Sequence, residues 1–166
     1  MKRKKISALI ILVIISAIPF VSCGGETDID IELIDLADYI SSKIDLGDFI
    51  NISAERIQNE YNVNEENSPQ TVVRVSLNIN SSEMLFFAEA SDKDSLKEIE
   101  NTLNQRKAET LRGLQDYDAN PDNERQYYIV DAAKMLIKGN YIFWAVHSEN
   151  SEINSIIEEF IKEHNP

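Results

Sequence analysis

The chain has 166 residues, 43% of them hydrophobic and 27% charged, with a formal charge of −13. Its first 22 positions hold four basic residues and no acid, which leaves −17 on the rest. That balance excludes the basic patches on which nucleic-acid binding depends and repels anionic lipid, and the length past residue 23 is that of one domain with a real core.

Lys2, Arg3, Lys4 and Lys5 form a basic head. Ile6 to Ile18 is an apolar run shorter than the ~20 residues a spanning helix needs. Pro19-Phe20-Val21-Ser22 then leads into Cys23, Gly24 and Gly25. A basic head, a short apolar core and a small residue before the cut describe an export signal. The cysteine makes it a lipoprotein box, with cleavage between Ser22 and Cys23 and lipid on Cys23. Phe20, three positions before the cysteine, is an unusual occupant of that box. An uncleaved anchor or plain secretion is the alternative. Residues 1–22 are therefore expected to be a signal peptide, 23–30 a lipidated tether and 31–166 a single α+β domain outside the cytoplasm. Cys23 is the only cysteine, so the domain has no intramolecular disulfide.

Leu33, Leu36, Ala37, Ile40 and Ile44 recur at helical spacing and predict a helix over 31–43. Ser53 reads as the N-cap of a short helix through Tyr61, with Glu55 in its first turn. A loop over 62–70 precedes an alternating strand over 71–79. In that strand Val73, Val75, Leu77 and Ile79 point one way. A second, more apolar strand covers 83–90. Ser91 or Asp92 caps a long helix to about Leu114, with Leu96, Ile99, Leu103 and Leu111 on its buried face. A loop is expected over 115–126 and a third strand within 127–138. Gly139-Asn140 then makes a hairpin turn into a fourth strand over 141–147. Ser148 is the expected cap of a last helix, which buries Ile153, Ile156, Ile157, Phe160 and Ile161.

The second half repeats the first at an offset of 57 residues. Leu85-Phe86-Phe87-Ala88 falls on Ile142-Phe143-Trp144-Ala145, Ser91 on Ser148 and Ile99 on Ile156. The pattern strand–strand–helix twice over predicts a four-stranded antiparallel sheet (ββαββα). Both long helices would cover one face, and the N-terminal helical pair an edge or an end.

With the lipobox, the long helix over 91–114, the loop with Pro121 and Gly139-Asn140-Tyr141 before the apolar strand, the chain resembles the small Gram-positive lipoproteins that carry domain of unknown function 4358. The resemblance implies an exported lipoprotein with an α+β domain. It implies no activity and no site residues.

Candidate chemistry is sparse. Asp116, Asp118, Asn120, Asp122 and Glu124 place oxygen ligands at alternate positions, as a calcium loop does. Pro121 stands where that loop needs glycine, however, and Tyr127 where it needs a bidentate Glu. His147, at the end of the fourth strand, and His164, near the chain end, have no metal-ligand spacing. Trp144, Phe86, Phe87 and Phe143 read as core, or as the lining of a ligand pocket. No catalytic residue, metal ligand or cofactor is assigned, and an enzyme is not expected. The expected function is binding or scaffolding at the cell envelope. The membrane is reached through lipid on Cys23, an envelope protein is the expected partner, and nucleic acid is not. A small-molecule or cation-binding lipoprotein is the alternative.

Overall fold

A computed structural model describes residues 29–115 and 121–164. Ser22 and Cys23 lie outside the described residues, as do the first five positions of the acidic loop, 116–120. The element order is α1 (Leu33–Lys43), β1 (Phe49–Asn51), α2 (Ala54–Tyr61), β2 (Gln70–Ser76), β3 (Met84–Glu89), α3 (Lys93–Gln115), α4 (Pro121–Ala132), β4 (Met135–Lys138), β5 (Tyr141–Val146) and α5 (Asn150–His164).

The fold is α+β, and its sheet is antiparallel with five strands in the order β1-β2-β3-β5-β4. This corrects the expectation of four strands. The extra strand, β1, is three residues long and pairs Ile50 with Val75 at the edge of β2. Helix α4 is a second correction. It occupies 121–132, where a loop and the start of a strand were expected, and only Met135–Lys138 of that region is strand.

The placement of the helices is the third correction. The long helices cover opposite faces, and the sheet is the middle layer of three. On one face Phe86, Ala88, Ile142, Trp144 and Val146 pack against Ile57 and Tyr61 of α2, Ile99 and Leu103 of α3, and Ile129 and Val130 of α4. On the other, Leu85, Phe87, Tyr141, Phe143 and Ala145 pack against α1 and α5. The N-terminal helical pair is thus split between the faces. Strand β5 is buried along its whole length, as befits a central strand covered on both sides.

The reason lies in the pairing register. Phe86 faces Trp144 and Leu85 faces Ala145 across β3 and β5, so even-numbered residues share one face and odd-numbered residues the other. The internal repeat has an odd offset, and it therefore maps each residue of β3 onto one facing the opposite side of β5. A shift by one residue exchanges the faces of a strand. The helix that follows β5 then closes over the face that α3 leaves open.

Several ends are capped as the sequence leads one to expect. Ser53 Oγ accepts from the Arg56 amide at 3.3 Å, and Asp92 Oδ1 accepts from the Ser95 amide at 2.7 Å. That bond lowers the Asp92 pKa from its ordinary value. Gly139 has φ +57, the left-handed conformation that its hairpin turn requires. Two caps come from elsewhere. The first amide of α1, at Leu33, donates to Gln70 Oε1 on β2 at 3.1 Å. At α5, which begins two residues after Ser148, His147 Nδ1 accepts from the Glu149 amide at 3.1 Å.

Candidate functional site

The two ends of the sheet differ in chemistry. At one end, the start of β2, the end of β3 and the β4–β5 turn meet the start of α1 in a network of polar side chains. Glu89 sits at its centre: one carboxylate oxygen accepts from Gln70 Nε2 at 3.1 Å and the other from Asn140 Nδ2 at 3.3 Å. Gln70 also donates to the Ile31 carbonyl at 3.4 Å, and Asn140 to the Ala90 carbonyl at 3.1 Å. The Ser68 hydroxyl donates to the Glu89 carbonyl at 2.7 Å. Burial pushes the Tyr141 phenol up to about 12, the Glu89 carboxylate adding to the rise, while a hydrogen bond with the Ile31 backbone opposes it. Ile29 lies against Gly139, so the chain joins the domain at this end. Every polar group named here is satisfied by a neighbour. The network fastens the start of α1 to the sheet.

The opposite end lies five residues along β3 and β5, about 17 Å away at the rise of an extended strand. Here the β2–β3 loop, the start of α4, the α1–β1 connection and the start of α5 converge. The Gln126 side chain ties two of them, its Oε1 accepting from the Ser82 amide at 2.7 Å. The Leu77 amide donates to the Asp48 carbonyl at 2.8 Å. His147 is buried beneath these loops, with 6% of its surface exposed. Because its Nδ1 accepts from an amide, the neutral ring carries its proton on Nε2, which faces Glu83 Oε1 at 4.0 Å. The ring meets Phe49 edge-on at 6.4 Å between centroids. It also forms part of the wall of a groove of about 540 Å³ between α4 and the start of α5, whose charged residues are Glu124 and Arg125 and whose apolar ones are Tyr128, Ile129 and Ala132. Three apolar side chains of this end are exposed. Ile79 at the hairpin tip is 96% exposed, Tyr128 62% and Leu77 54%.

A second hollow, of about 730 Å³, lies between α2 and the 62–70 loop. Its wall is built from Glu55, Gln58, Val63, Asn64, Glu65 and Pro69, among others. The loop beside it is internally bonded: Asn64 Oδ1 accepts from the Glu66 amide, and Asn67 Oδ1 from the Asn64 amide, each at 2.9 Å.

The aromatic residues do not gather in one pocket. Phe86 and Trp144 belong to one core and Phe87 and Phe143 to the other, the latter two in edge contact at 5.6 Å. The Trp144 Nε1 is buried and finds no hydrogen-bond partner among the described residues. His164 caps the end of α5, its Nδ1 2.8 Å from the Phe160 carbonyl and its ring stacked on Phe160. Among the described residues no group of three or more His, Cys, Asp or Glu is placed to hold a metal ion. Of the acidic loop, Asp122 and Glu124 fall in the first turn of α4, where carboxylates suit the helix N-terminus.

Residues 42–147 match the domain of unknown function DUF4358. The chain belongs to this family. The match takes in all five strands, α2, α3, α4 and Gly139-Asn140-Tyr141, whose asparagine and tyrosine side chains belong to the polar network around Glu89. The DUF4358 match leaves out α5 and nearly all of α1, the two helices that cover the second face. No curated protein and no solved structure matches the chain. Leu77 and Ile79, expected in a half-buried strand, and Gln126, expected in a loop, fall instead at the His147 end of the domain, past the last residue of β2 and within α4. Their signal was the position of Leu77 and Ile79 beside Asn78, Asn80, Ser81 and Ser82, which are turn formers.

Proposed function

We propose that this protein is a lipid-anchored, extracytoplasmic lipoprotein whose DUF4358 domain is a binding or scaffolding module at the cell envelope. The anchor rests on the basic head, the apolar run and the Ser22-Cys23 junction. The observation that carries the binding role is the polarity of the domain. The chain joins it at the Glu89 end, and the exposed apolar residues Leu77, Ile79 and Tyr128 stand at the other. A tether at one end holds the opposite end out toward whatever the envelope presents.

Two measurements test this. Metabolic labelling with a fatty acid marks the wild-type protein, and Cys23→Ser abolishes both the label and membrane retention while leaving the cooperative melt intact. Labelling of the variant refutes the anchor. A pull-down from detergent-solubilised envelope, with the lipidated protein as bait and the Cys23→Ser form as control, recovers a specific protein in stoichiometric amount. A blank in that experiment refutes the scaffolding role.

A further inference from the structure

We infer that the end of the domain remote from its tether docks a cationic, amphipathic segment of a partner protein. This rests on the binding-module reading and names the chemistry of its partner. Segments 44–48, 77–83, 121–128 and 147–152 meet at this end and carry seven carboxylates against one arginine, Arg125. The same end bears Leu77, Ile79 and Tyr128, all more than half exposed, and Tyr128 shares the wall of the groove with Ile129 and Ala132. Arg125 stands in the groove wall beside Glu124, but the end as a whole is in acidic excess, and exposed apolar side chains within such an excess fit a segment with apolar residues on one side and cations on the other.

Other occupants fit poorly. A second copy would bring the same excess of carboxylates against its own kind, and like charges in contact oppose docking. An anionic bilayer is repelled for the same reason. The partner's cations meet Glu124 and Glu149 at the rim, while its apolar side chains cover Tyr128 and Ile79. Rim charges of this kind set the rate of encounter and its dependence on salt.

Site-specific photo-crosslinking in the full-length, lipidated protein within its native cells tests the inference. A photoreactive residue is placed at Ile79 or Tyr128, and in separate strains at Ile34 or Ile137, exposed apolar positions elsewhere. The attachment point in each adduct is mapped by mass spectrometry. Ile79 and Tyr128 are expected to give the dominant adduct, onto a protein segment rich in Lys or Arg and alternating with apolar residues. Glu124→Gln with Glu149→Gln lowers its yield several-fold without changing the circular dichroism of the protein. An adduct at these positions onto lipid, onto a second copy or onto an acidic segment overturns the inference, as does a yield indifferent to the two substitutions. Adducts from Ile34 or Ile137 alone overturn it and leave the binding-module reading standing. Adducts from no position overturn both.

Discussion

Replacing Trp144 by phenylalanine sets two effects against each other at one site. The indole is 2% exposed, lies opposite Met135 and Phe86 in the sheet, and buries an N–H with no partner among the described residues. An unsatisfied buried donor costs about 1–3 kcal/mol. Phenylalanine removes that donor but leaves a void of some tens of Å³, which at about 24 cal/mol per Å³ costs on the order of 1 kcal/mol. Lost apolar burial adds about 1 kcal/mol more, at about 0.8 kcal/mol per methylene equivalent. The two sides nearly cancel, and Trp144→Phe is expected to lie within about 1 kcal/mol of the wild type. Phe143→Ala, one residue away on the other face, has no such offset and is expected to cost about 3–5 kcal/mol. Urea unfolding followed by circular dichroism compares them, since the substitution removes the chain's only tryptophan. A loss of 3 kcal/mol or more in Trp144→Phe would show that the indole N–H is satisfied and refute the reasoning.

Two further substitutions probe the network and a helix end. The Tyr141 phenol is raised from 10.0 to about 12 in the fold, so the unfolded chain gives up this proton first. Its contribution is complete below pH 10 and is lost as pH rises toward 12. The urea midpoint should therefore fall more steeply across that window in the wild type than in Tyr141→Phe, and equal slopes would contradict the assignment. The Lys107 ammonium donates to the carbonyls of Asp131 and Ala133 at 2.9 and 2.7 Å, closing the C-terminus of α4. Lys107→Met keeps the apolar stem but leaves both carbonyls without their charged donor, and should cost about 2 kcal/mol in urea unfolding. Unchanged stability would mean that water serves the carbonyls as well.

Much of this fold is legible in the residues. The helical stripe from Leu33 to Ile40, the Ser53 cap, the alternation around Val73 and the Gly139-Asn140 turn each have a local cause, and each element forms where that cause lies. Strand β1 has none. Phe49-Ile50-Asn51 carries no alternation long enough to read, and it is a strand because β2 offers it an unpaired edge. Helix α4 shows a different failure. Tyr127-Tyr128-Ile129-Val130 has strand propensity, and the burial of Ile129 and Val130 in one core with Ile99 and Leu103 of α3 decides for helix. A local clue was present in Pro121, suited to the first helical turn, followed by Asp122 and Glu124. The assignment of the two long helices to opposite faces depended on the β3–β5 register, a pairing between residues more than fifty positions apart. The remote end of the domain was hidden for the same reason: its four segments are far apart in sequence, and none has a motif of its own.

The face made by Leu85, Phe87, Phe143 and Ala145 is closed by α1 and α5, which flank everything else in the domain and touch each other. A chain emerging from its N-terminus can lay α1 on nothing until β2 and β3 exist, and cannot finish the layer until α5 follows β5. Up to that moment the interior of the sheet is bare to water on one side. The layer is therefore completed late, when α5 joins α1 over the sheet. In that interval the naked face is what a chaperone would hold, and what aggregation would exploit.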